Sequence, residues 1–163
     1  MRDLTELKTE FRKEIRSKIA KFTPDELKAS DAKITENFLA LPEVQNCGRV
    51  YAYVPYGKEI STLAALSYFR KAGKYVYVCW DWPPDILPVK NDIIIVPGLT
   101  FDRKGYRIGK GGGYYDRLLE AAPGVFTVGL ARDALLADSV PRETHDMSVM
   151  RVVTETQTLT ING

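Results

Sequence analysis

Residues 92–116 read DIIIVPGLTFDRKGYRIGKGGGYYD, and the order of residue types in that stretch decides the fold class. Ile93, Ile94, Ile95 and Val96 form a continuous apolar run, the pattern of a parallel strand buried on both faces. Pro97-Gly98 ends it, a cationic, glycine-rich loop follows, and Tyr114–Ala121 reads as a short helix. Four glycines fall within five positions, at Gly109, Gly111, Gly112 and Gly113. Without a Cβ at those positions, backbone amides can approach an anion closely. Arg103, Lys104, Arg107 and Lys110 add positive charge, and Asp116 offers the hard oxygen that magnesium prefers. The combination suits a polyphosphate with its metal; the alternative is a flexible surface turn whose basic residues are solvated.

On the N-terminal side, Leu4, Leu7, Phe11, Ile15 and Ile19 recur at helical spacing, which predicts an amphipathic helix covering a core. Thr23-Pro24-Asp25-Glu26 is a capping box, so a second helix is expected from about Pro24 to Leu41, stopping before Pro42. Arg49–Val54 and Lys74–Trp80 are β-rich, with a helical stretch Thr62–Ala72 between them and Gly73 as its stop. Asp81–Lys90, DWPPDILPVK, holds three prolines and is expected to be a connecting loop. Beyond the glycine loop, Val125–Leu130 reads as a strand and Val149–Thr154 as a last, edge strand. Strands separated by helices imply an α/β fold: a three-layer α/β/α, Rossmann-like, mostly parallel sheet with helices on both faces. The 163 residues fit one domain, spanning 1–163.

Composition narrows the function. With 45% hydrophobic and 27% charged residues the chain is an ordinary globular protein. A net charge of +2 is too small for general nucleic-acid affinity. The apolar runs are too short to span a bilayer, and the charged N-terminus lacks a secretory apolar stretch, so a cytoplasmic protein with no membrane or nucleic-acid partner is expected. Cys47 and Cys79 are the only cysteines and His145 the only histidine, which leaves a zinc site without ligands and makes cysteine catalysis improbable.

The glycine loop fits neither common nucleotide pattern. GxxxxGK[ST] lacks its first glycine and its Ser/Thr, and GxGxxG meets Tyr114 where its third glycine belongs. Its full spacing, PGLTFDRKGYRIGKGGGYYDRLL over 97–119, instead resembles the signature of the 5-formyltetrahydrofolate cyclo-ligase family, also called methenyltetrahydrofolate synthetase. Lys8 and Arg12 resemble that family's N-terminal Lys-x-x-x-Arg, Ser30 a serine of its second helix, Glu59 its Glu-x-x-Thr, and Asp146-Met147 its closing Asp-Met. The resemblance spans nearly the whole chain.

It implies ATP-dependent closure of 5-formyltetrahydrofolate to 5,10-methenyltetrahydrofolate through a phosphorylated formyl group, with ADP and phosphate released. Phosphoryl transfer is mostly positioning and charge neutralisation. By resemblance, Gly109, Gly111, Gly112 and Gly113 wrap the phosphates, with Tyr114 and Asp116 beside them. Arg107 and Lys110 stabilise the transferred group, and Lys8 and Arg12, four apart on one helical face, reach the same nucleotide; from the residues alone they could equally form a solvated polar face. Asp116 and Asp146 are the candidate magnesium ligands, with a helix-start carboxylate and a turn residue as the respective alternatives. Glu59 either contacts the pterin or the reacting amide, or caps the helix beginning near Ser61. Tyr56, Trp82 and Tyr114 are candidate folate contacts; Tyr53, Tyr115 and Trp80 are expected to be core, and His145 structural or exposed. ATP, reduced folate and Mg2+ are the implied ligands, and a monomer is expected. Two departures stand out: no Glu-Pro pair occurs in the short Asp81–Lys90 segment, and Met150 replaces a second Asp. They leave a non-catalytic nucleotide- or folate-binding relative as the alternative.

Overall fold

The computed structural model describes residues 2–78, 84–109 and 113–161. Its centre is a six-stranded sheet built from β1 (Arg49–Ala52), β2 (Tyr75–Val78), β3 (Ile93–Val96), β6 (Phe126–Leu130), β7 (Arg151–Val153) and β8 (Thr158–Thr160), in the order β2-β1-β3-β6-β7-β8. All neighbours run parallel except β8, which pairs antiparallel with β7 at the edge. The expected edge strand is therefore β7, one place inside the sheet, because Thr158–Thr160 adds a further strand. Counted in chain order, the five parallel strands lie 2-1-3-4-5, so the winding reverses between β1 and β3. Ligands of such sheets bind outside the carboxyl ends of the strands at that reversal.

Helix α4 (Leu63–Lys71) connects β1 to β2, and α5 (Tyr114–Ala121) connects β3 to β6 in the opposite direction. Right-handed crossovers then put the two helices on opposite faces, giving the expected three layers. The core is one cluster centred on Tyr51, Phe69, Ile94, Ile95, Leu118 and Val128. All four residues of β3 are buried, as its unbroken apolar run requires.

The capping box forms as read: Thr23 accepts from the Glu26 amide at 3.1 Å and Glu26 from the Thr23 amide at 2.9 Å. Helix α2 (Pro24–Leu39) ends two residues earlier than expected. Leu41, preceding Pro42, is held in the extended region at ψ 131°, and Pro42 then opens the one-turn α3 (Pro42–Gln45). Helix α1 (Leu4–Ile19) departs further from the sequence reading. Only Ile15 on it is buried, Leu7 is exposed, and none of its residues joins the core cluster. It does not cover the core but lies along the carboxyl ends of the strands, where it lines the site described below.

The stretch read as one loop after β3 contains a hairpin, β4 (Thr100–Phe101) with β5 (Arg107–Ile108). Asp102, 1% exposed, holds its turn by accepting from the amides of Lys104 at 2.9 Å and Tyr106 at 3.0 Å, and reaches Val140 N at 3.0 Å. Gly105 sits in the turn at φ +84°, where an added Cβ would lie 2.8 Å from the Val149 carbonyl. Phe101 is packed against Gly129 of β6, leaving no room for a side chain there. In the Asp81–Lys90 connection, residues 84–90 form no helix or strand, as expected; Trp80 and Trp82 lie outside the described residues.

Candidate active site

Two cavities open on either side of one hairpin rung, at the reversal between β1 and β3. Leu99 N donates to Ile108 O at 2.8 Å; Gly98 and Leu99 line the first cavity, Arg107, Ile108 and Gly109 the second. Helix α1 borders both, with Arg16 and Ile19 on the first and Lys8 and Arg12 on the second.

The second cavity, about 220 Å³, is strongly polar. Arg12 Nε donates to Gly109 O at 2.7 Å, which docks α1 on the glycine loop. Arg107, its side chain 14% exposed, donates to Pro97 O at 3.2 Å and pairs with Asp116 at 3.5 Å. Its Nε is buried without a hydrogen-bond partner. A Cβ at Gly109 would strike the Arg107 guanidinium, so this glycine is required for the arginine's placement rather than for its own φ. Gly113, at φ +70°, forms the N-cap of α5 and puts Asp116 in the first turn. On the facing wall, Lys8 Nζ lies 3.7 Å from Asp146, whose Oδ2 also accepts from Glu143 N at 2.9 Å. His145 is exposed, as read, and its Nε2 sits 3.1 Å from Glu143.

The structure thus gathers Lys8, Arg12, Arg107, Gly109, Gly113, Asp116 and Asp146 around one cavity. Lys110, Gly111 and Gly112 lie outside the described residues. Tyr114 is half-buried and stacked edge-on against Tyr115, their ring centres 5.1 Å apart, and Tyr115 is core as expected. Neither tyrosine lines either cavity.

Among the described residues no three His, Cys, Asp or Glu side chains cluster closely enough to hold a metal by themselves. Asp116 and Asp146 are each already paired with a cation. That donor set fits a magnesium ion arriving on phosphate oxygens, not a resident site made by protein alone. Met150 lines neither cavity; it sits with Glu43, Phe126 and Arg151 elsewhere, so its lack of a carboxylate takes nothing from this wall.

The first cavity, about 400 Å³, is mostly apolar, with Ile19, Ile60, Leu99 and Leu135 among its walls. Glu59 enters it and does not cap α4. Its Oε1 accepts from Tyr56 N at 2.7 Å, closing a turn through Gly57 at φ +59°, while the α4 N-cap Thr62 makes no side-chain cap bond. Tyr56 is 78% exposed at the mouth. Tyr53 is core, and burial pushes its hydroxyl pKa far up.

Sequence reasoning missed Arg132, buried to 3% exposure just beyond the carboxyl end of β6, yet lining this cavity. Its Nη1 donates to Ser30 Oγ at 2.6 Å, and its Nη2 lies 3.0 Å from Asp31. The available signal was a lone arginine directly after an apolar strand, at the end where these sheets bind ligands. Burial raises the Asp31 pKa above its ordinary value, although the Arg132 charge works the other way.

The model of the 5-formyltetrahydrofolate cyclo-ligase family matches residues 4–80 and 81–155. The chain belongs to the 5-formyltetrahydrofolate cyclo-ligase family. A 5-formyltetrahydrofolate cyclo-ligase of Mycolicibacterium smegmatis is 29% identical over 167 residues, covering 80% of this chain and 85% of that one. The NMR structure of Aquifex aeolicus 5,10-methenyltetrahydrofolate synthetase superposes with a TM-score of 0.81 at 27% identity, over 96% of this chain and 94% of that one. A Mycoplasma pneumoniae 5,10-methenyltetrahydrofolate synthetase, 21% identical, shares the fold with a TM-score of 0.77 over 91% and 98% of the two chains. Cyclo-ligases of this family are ligases, and the enzyme class carries over to this member. The signature over 97–116 divides in two: Phe101, Asp102 and Gly105 build the hairpin, while Arg107, Gly109 and Asp116 face the charged cavity.

Proposed function

We propose that this cyclo-ligase closes 5-formyltetrahydrofolate to 5,10-methenyltetrahydrofolate with ATP and magnesium, through a phosphorylated formyl group. The observation that carries the reading is the pair of cavities, one apolar and one charged, on either side of the Leu99–Ile108 rung. The apolar cavity suits a flat pterin, with Glu59 as its polar handle and Tyr56 at the mouth. The charged cavity suits the triphosphate, with Lys8, Arg12, Arg107, Gly109 and Gly113 around it; the family resemblance adds Lys110, Gly111 and Gly112 to the phosphate-binding residues.

An amide oxygen is a poor leaving group, so it has to be phosphorylated first. The formyl oxygen takes the γ-phosphoryl group as the bond to the β-phosphate breaks, and the N5 lone pair moves into an N5=C bond. N10 then attacks that carbon and gives up its proton, and the C–O bond breaks to release phosphate. Arg107, held by Pro97 O, faces the charge that builds on the transferred group. Glu59, fixed by the Tyr56 amide, orients the pterin or the reacting amide. Magnesium bound with the nucleotide would neutralise phosphate charge, held beside Asp116 and Asp146.

Mixing the protein with 5-formyltetrahydrofolate, ATP and magnesium should make the methenyl product's absorbance band grow. Arg107→Ala should slow that growth by about 100-fold, the order of removing one transition-state donor. No growth with folded protein, while a control cyclo-ligase is active, counts against the activity. Equal rates for wild type and Arg107→Ala would overturn the phosphate role alone.

A further inference from the structure

The apolar cavity is graded from floor to rim. Arg132 and Leu135 on its wall are buried, Ile60 and Leu99 are half-buried, and Arg16, Tyr56 and Lys58 are exposed at its mouth. Two of those three rim residues are cations, and they come from different elements. Arg16 stands in the last turn of α1, and Lys58 in the connection between β1 and α4.

The protein itself makes no use of either charge. On α1 and just before it, Arg2 pairs with Glu10, Lys8 with Asp146 and Lys18 with Glu14, while Arg12 donates to Gly109 O. Arg16 and Lys58 have no ion-pair or side-chain hydrogen-bond partner among the described residues. A cation in the last turn of a helix complements the macrodipole, which accounts for a basic residue at Arg16 but not for its place on a cavity. Lys58 has no such alternative. It is carried by a built turn, with Gly57 at φ +59° and the Tyr56 amide donating to Glu59 Oε1 at 2.7 Å. Among the described residues Glu59 is the one acidic side chain lining this cavity, and it is engaged in closing that turn.

An apolar interior with a cationic rim suits a ligand that has a flat body and an anionic end. 5-Formyltetrahydrofolate has that form: a bicyclic ring at one end, a benzoyl linker, and a glutamate with two carboxylates at the other. We infer that Arg16 and Lys58 bind the carboxylates of the substrate's glutamate tail and so direct the ring toward the buried wall. The inference rests on the apolar cavity being the folate site, and it assigns specificity to two residues outside the glycine-rich signature. It also gives α1 a part in both halves of the site. Lys8, Arg12 and Arg16 follow one another at four-residue spacing on one helical face, the first two on the charged cavity and the third on the apolar one.

Calorimetry without ATP tests it by comparing 5-formyltetrahydrofolate with 5-formyltetrahydropteroate, the same molecule lacking its glutamate. Wild type should bind the glutamate form about tenfold more tightly, as two exposed charge pairs near the upper end of their range would give. Added salt should shrink that preference, since screening weakens exposed pairs. The double variant Arg16→Gln with Lys58→Gln should bind both compounds with the affinity wild type has for the pteroate. Arg16→Lys with Lys58→Arg keeps both charges and should keep the preference. A glutamine double variant that retains the wild-type preference, or that loses affinity for both compounds equally, overturns the inference. Wild type without measurable affinity for 5-formyltetrahydrofolate overturns it together with the proposed substrate. Binding that shows the tail preference but yields no methenyl product once ATP and magnesium are added sinks the proposed turnover alone.

Discussion

At the scale of single residues, two glycines separate what the signature does for the scaffold from what it does for the site. A methyl at Gly105 would meet a backbone carbonyl, in a left-handed conformation that alanine resists. A methyl at Gly109 would meet only the tip of the Arg107 side chain, which can move. Gly105→Ala should therefore lower stability by about 2 kcal/mol with little change in KM for any folded fraction. Gly109→Ala should leave the melting temperature nearly unchanged and cut turnover by about tenfold or more, since a displaced guanidinium is misaligned for phosphate. Thermal denaturation and the methenyl assay read both. A destabilised Gly109→Ala with normal turnover would contradict this division.

At the scale of elements, α1 is the exception among the longer helices. It is tied by polar contacts, Arg12 to Gly109 and Lys8 to Asp146, with Ile15 its one buried residue. Its amides should exchange faster than those of α2 without ligand, and ATP should protect them, because the nucleotide adds partners for Lys8 and Arg12. Equal protection of α1 and α2 before ATP is added would show that the helix is held by more than the site. The amphipathic spacing of Leu4, Leu7, Phe11, Ile15 and Ile19 signalled this helix but not its address, since periodicity reports an apolar face and not which surface receives it. Local signals served better. The Thr23 box, the apolar run of β3 and the Pro97-Gly98 stop act within a few residues, and the structure follows them. The β4–β5 hairpin escaped because its strands are two residues each and its turn is held by one side chain, Asp102. Arg107, Gly109, Asp116 and Asp146 were legible because they sit in spaced motifs. Arg132 and Asp31 meet only through the fold, 101 positions apart in the numbering, and no short pattern links them.

At the scale of the whole molecule, stability is anchored beneath the sheet as well as within it. Asp92, at the start of β3 and 3% exposed, accepts from Arg49 Nη2 at 2.6 Å and Val89 N at 2.8 Å. Burial alone would raise its pKa, but the Arg49 guanidinium and the amides outweigh it, and the carboxyl titrates below its ordinary 3.8. Its contribution is thus complete above pH 3.8 and is lost as the pH falls through the folded value. Asp92→Asn should cost about 3 kcal/mol in urea unfolding at neutral pH, where Arg49 loses its counter-charge. That gap should narrow as the solution is acidified below about pH 3.8. A gap that stays constant down to pH 2 would show that shape, not charge, is what Asn lacks. The Arg12–Gly109 bond has a different kind of consequence, in time. Its partners are 97 positions apart, so during synthesis α1 emerges long before the loop it docks on. At roughly 5–20 residues per second, the helix waits about 5–20 s for that partner to be made. Strands β1, β2 and β3 are all made in that interval, and the charged cavity can close only when the oldest part of the chain folds back onto a loop made after them.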